Sequence, residues 1–183
     1  DKALQAVNKA LAVSPDLASA ILLKAQILVR MERKEEASQL LADAVARHPE
    51  NTNLHFAYGR MLLDAEDLEG SREQFATVVK LEPDNPDGLY SLALLELETG
   101  QYQAGEKHLL RLIEINDGVQ NAYYYLGYAK LKQEDDAAAL EWYGRVESGD
   151  YWSQAQLRIA ENLVKQGDVD AMQEHMHHLR QKD

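Results

Sequence analysis

The sequence contains no cysteine. That excludes a disulfide framework, thiolate chemistry and cysteine-based metal sites, and leaves the redox compartment open. Positive charge is scarce too, with 19 Lys and Arg against 31 Asp and Glu for a formal net charge of −12. Nucleic-acid binders displace counterions with a basic stripe, and none is visible, so no nucleic-acid partner is expected. Anionic membrane surfaces are disfavoured on the same ground. No apolar run approaches the roughly 20 residues that cross a bilayer, so no direct membrane insertion by these residues is expected. The chain also lacks a nucleophile elbow, a phosphate-cradling glycine loop and an HExxH pair. It reads as a non-enzyme with no cofactor.

Proline is rare, at 4 residues, while Ala, Leu, Glu, Gln and Lys abound. That composition favours helix throughout. Three of the prolines, Pro15, Pro49 and Pro83, stand 34 residues apart. Each falls where a helix must stop, because proline cannot continue one. The next position in the series is Asp117, a turn residue that ends a helix less rigidly. The clearest copy of the repeated phrase runs from Asn121 to Gly149. Tyr123, Leu126, Gly127 and Leu131 share one stripe of a first helix. A polar turn from Gln133 to Asp136 follows, and Ala139, Leu140, Tyr143 and Val146 form the answering stripe of a second helix.

The other units follow in phase. Residues 1–17 match only a second helix, with Ala3, Val7 and Ala10 before Pro15, so the first unit is cut in half and the chain reads as a fragment of a longer protein. Complete units are expected at 18–51, 52–85, 86–119, 120–152 and 153–183. Small residues recur at one phase, Ala25, Gly59, Ala93, Gly127 and Ala160, where the first helix must approach its neighbours closely. A helical hairpin this size cannot bury its apolar faces alone and needs copies stacked beside it. About eleven helices and no strands are expected, as one array over residues 1–183.

Helix–turn–helix units of this period, with Tyr123, Leu126, Gly127, Ala139, Tyr143 and the periodic prolines, resemble the tetratricopeptide repeat family. Glu96 and Lys130 depart from it, standing where the family prefers an aromatic late in the first helix. The resemblance implies an all-α fold, a right-handed superhelical solenoid of antiparallel helix pairs. It also implies a function, the binding of an extended or helical protein segment along an inner wall built by the first helices. The inward positions are then Leu22, Phe56, Tyr90, Tyr124 and Leu157, and one turn later Gln26, Arg60, Leu94, Tyr128 and Glu161. Such a wall suits apolar and aromatic partner side chains. The Lys and Asn of the family's carboxylate-gripping subclass are missing here. More narrowly, residues 121–179, and SGDYWSQAQLRIA within them, resemble the C-terminal repeats of proteobacterial tetratricopeptide lipoproteins that act as adaptors for a carboxyl-terminal processing protease. That likeness implies a bacterial envelope adaptor, periplasmic or outer-membrane-associated, and a cytoplasmic setting stays open as the alternative.

Other clusters have simpler readings. Glu35 with Glu36, Asp67 with Glu69, and Asp135 with Asp136 resemble acid pairs for catalysis or Ca²⁺. All sit where a second helix starts, and stabilising that positive end explains them. His175 and His178 are three apart and could share a helix face as zinc ligands do. No carboxylate converges on them, so no metal site is expected. The rival to partner binding is a structural role, in which apolar solenoid ends stack end to end with other copies or with the rest of the same protein.

Overall fold

The computed structural model describes residues 2–116 and 118–180, apart from the side chains of His178 and Arg180. The expected turn residue Asp117 lies outside the described residues. Among these residues the chain forms eleven α-helices and no strand. They are α1 Lys2–Val13, α2 Ala18–Arg30, α3 Lys34–Arg47, α4 Thr52–Asp64, α5 Leu68–Leu81, α6 Pro86–Glu98, α7 Tyr102–Ile115, α8 Gln120–Lys132, α9 Asp136–Gly144, α10 Trp152–Lys165 and α11 Val169–Arg180. The chain divides into two compact units, Asp1–Gly88 and Leu89–Asp183. In the first, each of α1 to α4 packs on the helix that follows it, and in the second each of α7 to α10 does the same. The first core gathers Ile21, Ala25, Leu28, Leu41 and Leu54, and the second Tyr123, Ala139, Tyr143, Val146 and Ala155.

The hairpin turn is one device used five times. Glu32, Glu66, Gly100, Glu134 and Gly167 all adopt positive φ, between 59° and 79°. In each turn the next amide reaches back five residues: Arg33 to Leu28, Asp67 to Leu62, Gln101 to Glu96, Asp135 to Lys130 and Asp168 to Leu163. This Schellman closure satisfies carbonyls that the helix end leaves unpaired. The following helix starts at once. Asp67, Asp135 and Asp168 cap it by accepting from the amides of Gly70, Ala138 and Ala171. Of the acids expected at these starts, Asp67 and Asp135 are caps, while Glu36 with Arg33, Glu69 with Arg72 and Asp136 with Lys165 form ion pairs.

Within a hairpin the two helices are matched in size at their crossing. A methyl group added to Gly127 would lie 2.7 Å from the Tyr143 ring, and one on Gly59 would lie 2.9 Å from Phe75. The two glycines therefore face the two aromatics. At the same phase the alanines Ala25 and Ala93 are matched in sequence with Leu41 and Leu109, and all four are buried. Side-chain volume is nearly conserved across the pair, which is what a close-packed contact requires. Ser71 sits in the same tight layer and donates its hydroxyl to the Gly59 carbonyl at 2.8 Å, so its burial leaves no polar group unmatched.

Two departures shape the second unit. Helix α9 spans 9 residues where α3, α5 and α7 each span 14. Val146, expected on its helical stripe, lies beyond the helix end, yet it is buried in the same core. The chain there turns through Gly149 at φ +84°, which a residue with Cβ adopts only with strain. The second departure is polar. Glu96 and Lys130, standing where aromatics are usual, are matched by α7: Glu96 meets His108 at 2.7 Å, and Lys130 meets Glu106 at 2.6 Å. Gln133 donates to the same Glu106 carboxylate at 3.0 Å. Glu96 is 6% exposed, and a buried carboxylate without such a partner would cost several kcal/mol.

Two stability measurements check these points. Gly100 has φ +79° and nothing within 4 Å of an added Cβ, so Gly100→Ala tests backbone strain alone. It should cost about 1 kcal/mol in urea unfolding. Gly127→Ala should cost about 1–3 kcal/mol by overpacking Tyr143. The same change in a Tyr143→Leu background should cost clearly less, and equal costs in both backgrounds would refute size matching at this contact.

Candidate surface for partner binding

In the first unit, the structure brings three of the four expected wall residues to one place. Leu22, Gln26 and Arg60 line a cavity of about 280 Å³ between α2 and α4. Phe56 is half-buried instead against its own hairpin, its ring centroid 5.4 Å from that of Phe75. It serves packing at least as much as any open face.

In the second unit, the expected residues fall into two clusters and a rim. Tyr90 and Tyr124 join a tyrosine cluster with Tyr125 and Tyr151. The rings of Tyr124 and Tyr151 stack at 4.6 Å, Tyr125 stands edge-on to Tyr151 at 5.3 Å, and Tyr90 stands edge-on to Tyr125 at 6.1 Å. The hydroxyls of Tyr125 and Tyr151 share a 2.7 Å hydrogen bond. All four rings are half-buried. Such edge-to-face and offset geometry is what aromatic quadrupoles favour. Burial first, then the bond to Tyr151, raises the Tyr125 phenol well above the ordinary tyrosine range, so it stays neutral. Burial raises the Tyr90 phenol as well. Tyr124 also leans on Tyr143 at 5.5 Å and belongs to the core margin, so it is not a free tip on an open wall.

Tyr128 lies apart from this cluster, edge-on to Tyr102 at 6.5 Å with the Lys132 ammonium 5.4 Å from its ring centroid. Leu94 is half-buried. On α10, Leu157 is 57% exposed, and Glu161 pairs with Arg158 at 2.8 Å. Hydrogen bonds to Glu161 and then Tyr124 hold the Arg158 guanidinium firmly charged. The rim of the tyrosine cluster is therefore polar and its centre aromatic.

Tyr125 and Tyr151 were not among the residues expected from sequence. Tyr125 belongs to the run YYY but sits outside the assumed inward phase. Tyr151 comes from SGDYW, and the signal there was the lost proline and shortened unit. The shortened α9 and the Gly149 turn deliver Tyr151 onto Tyr124, which a periodic reading passes over. The tail behaves differently. His175 is half-buried and its Nε2 has no partner among the described residues, while the His178 side chain lies outside them. Among the described residues no group of three or more His, Cys, Asp or Glu is placed to hold a metal ion.

Comparison with known proteins agrees with this architecture. Residues 1–128 match the family described as Psidin, N-terminal TPR repeats region. The TPR repeat-containing protein PA4667 of Pseudomonas aeruginosa is 32% identical over 135 residues, 73% of this chain and 23% of that protein. Anaphase-promoting complex subunit 7 of Mus musculus is 27% identical over 107 residues, 58% of this chain and 19% of that protein. The chain thus spans about a fifth of the length of the curated relatives it matches. Among solved structures, YrrB, described as a TPR protein with an unusual peptide-binding site, superposes with a TM-score of 0.81 at 17% identity, covering 96% of this chain and 91% of that one. MamA superposes with a TM-score of 0.75 at 18% identity, covering 84% of each chain. The chain belongs to the tetratricopeptide repeat family.

Proposed function

We propose that this chain is a non-enzymatic scaffold that captures an extended or helical segment of a protein partner on the faces of its first helices. The coarser statement needs no proposal: the fold is a protein-binding repeat scaffold, and repeat proteins of this family are in general non-catalytic. The observation that carries the finer one is the half-buried cluster of Tyr90, Tyr124, Tyr125 and Tyr151. Tyrosine brings a large apolar body and a polar tip with few rotatable bonds, which suits a partly wet recognition surface. Leu94, Tyr128, Leu157 and Glu161 are the further candidate positions in the second unit, and Leu22, Gln26, Phe56 and Arg60 supply the corresponding positions in the first. YrrB, whose fold this chain shares, carries a peptide-binding site. The likeness of residues 121–179 to envelope lipoprotein repeats supports a bacterial envelope adaptor as the setting.

A second reading is a structural module that stacks through its ends. Its support is exposed apolar surface: Val13 at 85%, and Val164 and Val169 at 57% and 50%. Concentration-dependent light scattering that disappears with polar replacements at these three positions would favour stacking over capture.

Partner capture from a bacterial envelope fraction tests the main reading. Aromatic anchors often cost about 2 kcal/mol or more on truncation, so Tyr124→Ala with Tyr128→Ala should weaken capture about thirtyfold. Tyr124 also touches Tyr143, so this variant should melt earlier. Tyr124→Phe keeps the ring contacts and should retain both stability and most capture. Glu141→Ala, at an exposed position paired with Arg145, should leave capture intact. Undiminished capture by the double variant would place binding elsewhere.

A further inference from the structure

The arginines divide unequally. Arg33, Arg47, Arg72, Arg111, Arg145 and Arg158 each hold a carboxylate at 2.6–2.9 Å. Among the arginines whose side chains are described, Arg30 and Arg60 are the two without an ion pair. Both line the same cavity of about 280 Å³ in the first unit, over an apolar floor that includes Leu22, Val29 and Met61. Asp64 lines it too but pairs with neither. In a chain carrying 31 acidic residues, two guanidinium groups left without partners at one apolar cavity form a local inversion of charge. Arg30 lies in the last turn of α2, where a cation complements the helix dipole. That does not account for Arg60, which stands inside α4, a turn before its end.

We propose that this cavity binds an acidic peptide segment, one whose apolar side chain seats on the Leu22, Val29 and Met61 floor while flanking Asp or Glu carboxylates meet Arg30 and Arg60. The inference rests on reading the first-helix faces as a peptide site and names the chemistry taken there. Guanidinium forks fit carboxylates two bonds at a time, and their weak hydration makes them effective at a half-apolar surface. The overall charge of −12 would by itself favour a basic partner. At physiological ionic strength, charges more than about 8–10 Å away are largely screened, so the groups at the cavity set the local preference, two arginines against the one Asp64.

Fluorescence anisotropy on the full chain tests this with two labelled peptides, a Leu-Leu centre flanked by glutamates and the same centre flanked by lysines. The glutamate peptide should bind about tenfold tighter or more, and added salt should weaken it. Arg30→Gln with Arg60→Gln should remove most of that preference. Arg30→Glu with Arg60→Glu should reverse it in favour of the lysine peptide. Both side chains are exposed, so unchanged circular dichroism checks the fold of each variant. Equal binding of the two peptides, or glutamate binding indifferent to the arginine changes, overturns the anionic assignment and leaves the peptide-site reading standing. Failure of both peptides to bind overturns both for this cavity.

Discussion

Each hairpin depends on how closely its two helices can approach. At Gly127 that approach leaves no room for a methyl group before the Tyr143 ring, and at Gly59 none before Phe75. Where the matching position of the second helix is leucine, at Leu41 and Leu109, the first helix carries alanine, at Ala25 and Ala93. This matching lets hairpins with different side chains keep one geometry, and a solenoid needs that constancy because every unit must present the same faces to the next. The Schellman turns serve the same end. A left-handed residue at each turn fixes the angle of return, and three of the five turns use glutamate there despite its intrinsic cost.

The polar substitutions show how far the repeat pattern bends. Glu96 and Lys130 replace bulky apolar residues without opening the interior, because α7 supplies His108 and Glu106 to meet them. Each finds a partner on α7, and the net stabilisation from such buried polar pairs is small. The orphaned Tyr143 hydroxyl is the opposite case, a buried polar atom without a partner among the described residues. Its ring fills the space left by Gly127, and that packing offsets the desolvation of one hydroxyl.

The two candidate surfaces arise from opposite causes. The tyrosine cluster exists because the fourth unit breaks its own period: a short α9 and a glycine turn carry Tyr151 onto Tyr124. The cavity of the first unit exists within a regular pair of repeats, and its distinction is electrostatic. A scaffold that keeps its core regular can vary either feature, the local register or the exposed charge, at little risk to the fold.

The 34-residue spacing of Pro15, Pro49 and Pro83, with small residues in phase, determined the helical hairpins, their number and the helix boundaries to within a few residues. Those features follow from local rules of helix stopping, capping and apolar stripes, which are written in nearest neighbours along the chain. Leu22, Gln26 and Arg60, which the family resemblance put on one wall, line one cavity in the first unit. Tertiary structure alone decided the rest. Phe56 turned toward Phe75, Tyr128 separated from Tyr124, and Tyr125 and Tyr151 entered a cluster that periodicity does not reach. Whether an arginine is paired or free is also a three-dimensional fact, because the carboxylate that meets it can stand 3 residues away, as Glu36 does for Arg33, or 31 away, as Asp16 does for Arg47.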